Sequence, residues 1–169
     1  DNTANTDSLS ACVKHFAAYG YAEGGRDYNN VELSEHALRE TFLPAYKAAV
    51  DAGCDMIMSS FNTIGGIPTN LDTRLMRGIL RDEWGFDGVN ITDWCSLLQC
   101  KNHRAVNNEQ ELARAGLEAA IDICMMDYIY TVNVPKLLQD GTLDPALFKE
   151  AVMRVLRLKN KKGLLEDPY

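Results

Sequence analysis

Four short apolar runs, at residues 11–16, 55–60, 88–92 and 121–125, recur along the chain, and longer amphipathic segments fill the intervals between them. The runs are apolar on both faces rather than alternating, the pattern of strands covered from two sides. Strands that alternate with helices build right-handed βαβ units around a parallel sheet. The fold class is therefore α/β, and four such units fit either an open doubly wound sheet or half of a TIM-type (β/α)8 barrel. A dinucleotide-binding sheet is disfavoured, because EGGR and TIGGIP lie in loops and lack the G-x-G-x-x-G spacing that leads from a strand into a helix.

The amphipathic segments carry recognisable ends. Ser34 is placed as an N-cap, with Leu33 and Leu38 spaced as a hydrophobic staple, and Pro44 should break or kink the helix that follows. Asp72 opens a helix that runs to about Trp84 and stops at Gly85. Asn108, with Glu111 three residues on, opens another. Asp144 and Pro145 open the last, in which Leu147, Ala151, Val155 and Leu158 form one apolar stripe before Gly163.

A net charge of -7 opposes binding to a phosphate backbone, and no 18-residue apolar stretch offers a membrane span. The five cysteines read as buried thiols; Cys95, Cys100 and His103 find no fourth zinc ligand at a familiar spacing, so no metal is expected. His36 and His103 stand in polar contexts, Trp84 and Phe86 read as packing anchors around a helix stop, and RVLRLKNKK reads as a cationic helix end. The chain starts at Asp1 rather than Met, as expected of a piece of a longer protein.

In parallel α/β folds, chemistry gathers at the carboxyl ends of the strands. Those ends carry Lys14 and His15, then Ser59, Ser60 and Asn62, then Asp93 and Trp94, then Met126 and Asp127. A cation, an imidazole, hydroxyls, an amide, a carboxylate and an indole on one rim suit a polyhydroxylated ligand: the polar groups bond hydroxyls and the indole faces the apolar side of a pyranose. A carboxylate that closes a buried strand is costly, so Asp93 is either a turn cap or a reacting group, and residue type alone favours the cap. A strand-end lysine such as Lys14 also admits a Schiff-base reading, which no phosphate-binding glycine turn supports.

The segments KHFAAYG (14–20), EGGRDYN (23–29), LRETFLPAYKAAVDAG (38–53), MSSFNTIGGIPTN (58–70), LRDEWGFDGVNITDW (80–94) and GLLEDPY (163–169) resemble glycoside hydrolase family 3, in its bacterial β-glucosidase branch. The resemblance covers nearly the whole chain in order, and implies that residues 1–169 are the C-terminal half of a (β/α)8 barrel domain. It implies that Asp93 is the nucleophile of a retaining β-glucosidase and that Lys14 and His15 hold glycone hydroxyls. By the same match Trp94 serves the aglycone side, and Phe61 stands where many members have tyrosine. Thr92 replaces the usual serine before the aspartate. A nearby Lys14 ammonium would keep Asp93 ionised.

No cofactor is implied. The second carboxylate, which protonates the leaving group, is expected from a following domain absent from this chain; Glu23 and Asp27 read as solvated loop charges. The branch that acts on N-acetylhexosamine is disfavoured because KHFAAYG lacks the Pro-Gly-His continuation. The implied partners are a β-glucoside or oligosaccharide, the missing half-barrel and the C-terminal domain. A half-barrel has two open strand edges, so the alternative is a non-catalytic fragment that pairs with its missing half or forms a homo-oligomer.

Overall fold

A computed structural model describes residues 8–166. Three parallel strands form the central sheet: β1 (Cys12–Phe16), β3 (Met56–Ser59) and β6 (Val89–Ile91), in the order β1-β3-β6. A small second sheet holds β2 (Asn30–Val31) parallel to β4 (Thr63–Ile64), which turns back into β5 (Ile67–Pro68). The β4–β5 turn is made by Gly65 and Gly66, both at positive φ, as a tight two-residue hairpin turn requires. The TIGGIP stretch is thus a hairpin, tied to β2 by Asn30 Oδ1, which accepts from Thr63 Oγ1 at 2.6 Å and Gly66 N at 2.8 Å.

The crossovers begin where the sequence places their caps. Ser34 Oγ accepts from Ala37 N at 3.1 Å, and the helix runs through α1 (Glu35–Ala37), a π turn (Leu38–Phe42) and α2 (Leu43–Asp51). Pro44 does not break it. The chain instead widens into the π turn immediately before the proline, which accommodates its missing N–H. Asp72 Oδ1 accepts from Leu75 N at 3.0 Å, opening a π-helical segment (Arg74–Glu83) that leads into β6. After β6 come α3 (Ser96–Gln99) and α4 (Glu109–Glu118), the latter capped by Asn108 Oδ1 on Glu111 N at 2.8 Å. Last are α5 (Ile129–Gln139) and α6 (Pro145–Lys161), the latter capped by Asp144 Oδ1 on Ala146 N at 2.9 Å.

The fourth expected strand survives only as one parallel bridge between Ile91 and Ile123. The reason is Asp122. Its Oδ2 accepts from Asn90 N at 2.8 Å, taking the donor on this side of β6 that a neighbouring strand's carbonyl would otherwise use. That carboxylate is buried between two guanidiniums, with Arg81 Nη2 at 2.7 Å and Arg154 Nη1 at 3.0 Å. Burial pushes Arg81 down to about 10, so it stays cationic at neutral pH. Arg81 also donates to the carbonyls of Phe86 (2.9 Å) and Gly88 (2.6 Å), which fixes the entry into β6.

Two apolar clusters flank these elements. One joins Phe16, Leu38, Ile57, Leu75, Met76 and Leu80, with Trp84 edge-on to Phe16; the other joins Leu97, Leu112, Leu117, Ile129, Leu143 and Ala151. Trp84 and Phe86 are the anchors expected of them, and Phe86 also carries Arg81 over its ring at 5.0 Å. Of the five cysteines, which are all free, only Cys100 is fully buried; the other four are half-buried. Among the described residues no helix is long and apolar enough to cross a membrane.

Candidate active site

Asp93 stands just beyond β6, after Thr92, with its side chain 17% exposed. Its two oxygens face different partners. Oδ1 accepts from Trp94 N at 2.6 Å, and Oδ2 stands 3.2 Å from His15 Nε2, carried by β1. One oxygen thus fixes the local backbone, as a turn cap does, and the other faces His15.

The segment around Asp93 is clamped to the chain after Ile123. Thr92, wholly buried, donates its N–H to Ile123 O at 2.9 Å and accepts from Met125 N on Oγ1 at 2.8 Å. Cys95, at φ 54, donates its N–H to Met125 O at 2.9 Å and its thiol to Met126 O at 3.0 Å. The clamp brackets Asp93 and Trp94 and leaves Trp94 57% exposed.

His15 is half-buried. Burial lowers its pKa most; the Asp93 carboxylate opposes this, Lys14 adds to it and Asp27 opposes it more weakly. The ring packs edge-on to Tyr19, with centroids 5.0 Å apart. The backbone carbonyl of His15 accepts from Tyr46 Oη at 2.5 Å, which ties this part of β1 to α2.

Lys14 differs from the expectation. It makes no ion pair with Asp93; it is exposed and lines a depression with Val13, Tyr21, Phe42 and Tyr46 on the α2 side. In place of the cation expected beside the carboxylate, the His15 imidazole stands at contact distance.

The largest correction concerns Ser59, Ser60 and Asn62, read as rim groups for a ligand. All three are wholly buried. Ser59 Oγ contacts Asn70 Oδ1 at 2.5 Å, Asn70 Nδ2 donates to Ser96 Oγ at 3.1 Å, and Ser60 Oγ donates to Ala17 O at 3.2 Å. Thr69 Oγ1 donates to Ser60 O at 2.6 Å, and Asn62 Nδ2 reaches Ala17 O at 3.3 Å. These groups form a polar floor that joins the ends of β1 and β3 to the start of α3. Met126 lies exposed beyond it, and Asp127 Oδ1 accepts from Ile129 N at 3.0 Å, at the start of α5.

Phe61 stands in an aromatic group, 4.6 Å from Tyr28 and 5.8 Å from Tyr19, which connects it to His15 through Tyr19. Burial, and hydrogen bonding to Asp27, push the Tyr19 hydroxyl above its usual pKa. Asp27, read as a solvated charge, thus belongs to the surroundings of His15 and Tyr19. The signal was present in the two aromatics of AAYGY and the one in RDYN, but nothing in the sequence showed that the two loops meet.

Among the described residues no cluster of three histidine, cysteine or carboxylate side chains is arranged to hold a metal ion. The site offers one carboxylate at a strand end, an imidazole against it, an exposed indole and an aromatic wall, a composition matched to a sugar ring.

Comparison with known proteins gives the arrangement a context. Residues 3–158 match the model of the glycosyl hydrolase family 3 N terminal domain. The periplasmic β-glucosidase of Salmonella typhimurium is 37% identical over 166 residues, which cover 98% of this chain and 22% of that protein. A β-xylosidase of Formosa agariphila is 36% identical, over 92% of this chain and 23% of its own length. The crystal structure of a Listeria innocua β-glucosidase in complex with glucose superposes with a TM-score of 0.95 at 45% identity, covering 99% of this chain and 23% of that one. A mutant of the same Listeria enzyme has been solved in complex with laminaribiose. The chain spans about a fifth of the length of these relatives. On the length of the match and the agreement in fold, the chain belongs to glycosyl hydrolase family 3.

Proposed function

We propose that the chain carries the nucleophile half of a retaining β-glycosidase site, acting on terminal non-reducing β-D-glucosyl residues. The observation that carries this reading is the Asp93 carboxylate at the end of β6, one oxygen held by Trp94 N and the other open to the rim beside His15. In this reading Asp93 Oδ2 attacks the anomeric carbon as the glycosidic C–O bond breaks, and the leaving oxygen takes a proton from an acid. Water, deprotonated by the same group, then displaces Asp93 and returns it as carboxylate. His15 holds a glycone hydroxyl beside Asp93, and the exposed Trp94 faces the aglycone.

A retaining pair needs a second carboxyl about 5 Å from the first. No described residue is assigned to that role; we place it in a following domain, with the rest of the barrel supplied by sequence outside this chain. The names of the β-glucosidase and β-xylosidase relatives, and the glucose and laminaribiose held by the Listeria enzyme, support a β-linked sugar as substrate.

The direct test uses a 2-deoxy-2-fluoroglucoside with a good leaving group, which needs a nucleophile but little acid help. Intact mass followed by peptide mapping should show one sugar adduct on Asp93, absent in Asp93→Ala. No adduct, under conditions that label an intact β-glucosidase, would sink the reading for this chain.

A second reading, a non-catalytic half-barrel that pairs with its missing half or with a copy of itself, rests on the outer edge of β1. Among the described residues β1 pairs only with β3, leaving a row of backbone groups open on its other side. Sedimentation would show dimers or larger species if that edge drives association; a stable monomer would count against it.

A further inference from the structure

The turn that carries Asp93 is braced by buried residues that the chemistry above does not use. Residues 93–96 form a β-turn closed by Ser96 N, which donates to Asp93 O at 3.1 Å. Cys95 within it stands at φ 54, in the left-handed region that non-glycine residues avoid, so the turn needs support from outside. One support is the clamp to Met125 and Met126. The other is Asn70, 1% exposed, from the short turn Thr69–Leu71. Its side chain joins separate segments: Oδ1 accepts from Ser59 Oγ at 2.5 Å, while Nδ2 donates to Ser60 O at 3.2 Å and to Ser96 Oγ at 3.1 Å. An amide suits this place because it accepts on one side and donates twice on the other. A carboxylate would set an oxygen against the Ser60 carbonyl, and a hydroxyl has one donor where two are used. Ser96, itself buried, thus holds Asn70 with its side chain and the Asp93 carbonyl with its N–H.

We propose that Asn70, acting through Ser96, is a positioning residue for the Asp93 nucleophile. The proposal rests on Asp93 being the attacking carboxylate and extends that reading from the rim to the polar floor beneath it. The β-turn sets the direction in which the Asp93 side chain leaves the end of β6, and Asn70 holds that turn against the end of β3. Attack on an anomeric carbon needs the oxygen at a set distance and angle. A small tilt of the turn therefore slows the bond-forming step and leaves sugar binding, which draws on other groups, largely unchanged.

The test uses the full-length gene product and the 2-deoxy-2-fluoroglucoside, reading the maximal rate of Asp93 labelling separately from the half-saturating concentration. Ser96→Ala removes the hydroxyl and keeps the turn N–H. Its maximal rate should fall roughly three- to tenfold, the equivalent of one hydrogen bond, at an unchanged half-saturating concentration. Asn70→Ala should be at least as slow, and the double variant no slower than Asn70→Ala, because the two residues act as one unit. Ser60→Ala is the control, since its hydroxyl donates to Ala17 O at 3.2 Å in the same floor but away from the turn. Three results would each overturn the proposal: falls that add in the double variant, an equal fall in Ser60→Ala, or a folded Ser96→Ala that labels at the parent rate. Should Asn70→Ala not fold, the comparison of Ser96→Ala with Ser60→Ala decides alone. Absence of labelling in the parent removes the reading of Asp93 and this role with it, whereas equal rates in the parent and Ser96→Ala remove only the role of Asn70.

Discussion

His15 Nε2 lies 3.2 Å from Asp93 Oδ2, joining the end of the first strand of the sheet to the end of the last. Since burial is the largest influence and lowers the imidazole pKa, His15 should titrate below its ordinary 6.5. Asp93 opposes the shift, so Asp93→Asn should lower the His15 pKa further, while Lys14→Met should raise it. With three histidines in the chain, and His36 exposed, NMR of the imidazole carbons resolves the point. A His15 pKa that rises in Asp93→Asn would contradict the electrostatic assignment. The unfolded state binds this proton more readily than the folded one, so the His15 contribution to stability is complete above pH 6.5. It declines as pH falls through the window between 6.5 and the lower folded value.

Thr92 supplies the one acceptor seen for Met125 N. Thr92→Val keeps the shape and the branched Cβ but strands that N–H, at a cost of about 1–3 kcal/mol. Thr92→Ser keeps the hydroxyl and should recover most of the loss. Equilibrium denaturation of the two variants checks this, and equal stability in both would show that the hydroxyl is not what holds the clamp.

Asp122 faces two guanidiniums in the interior. Asp122→Asn leaves both cations without their counter-charge and is expected to cost about 3–5 kcal/mol, the usual penalty for breaking a buried pair from one side. The denaturation midpoint measures it. A loss below about 1 kcal/mol, within the range of an exposed pair, would mean that solvent reaches the network.

Gly88 precedes β6 at a close approach: a Cβ there would fall 2.4 Å from Asp55 O and 2.6 Å from the Phe86 ring. Gly88→Ala should therefore destabilise by about 1–3 kcal/mol, as overpacking does. Gly20→Ala, where an added Cβ meets nothing within 4 Å, is the matched control. Comparable melting temperatures for the two variants would refute the steric argument.

The strands β1, β3 and β6 and the caps Ser34, Asp72, Asn108 and Asp144 were legible because each depends on local patterns: paired-face hydrophobicity, or a short polar side chain two or three residues before a helical N–H. The fourth strand was not, since nothing local shows that Asp122 takes the bond of Asn90. Helix α5 also escaped, because Pro135 stands inside it and forfeits a helical bond that tertiary packing of Ile129, Val134 and Leu137 offsets. At the site, Asp93, His15 and Trp94 lie together where strand-end reasoning put them. Ser59, Ser60 and Asn62 went wrong because that reasoning fixes the end of the sheet on which a residue sits, not the depth at which its side chain comes to rest.

That depth divides the labour of change. Nearly every hydroxyl and amide in the polar floor already has a partner inside the protein, so exchanging one of them disturbs its neighbours before it alters any ligand. The Trp94 side chain, exposed at the rim, has no part in that floor among the described residues and can vary without disturbing it. Within this chain, change is accordingly open to descent through the rim, while the floor beneath the carboxylate is inherited as a block.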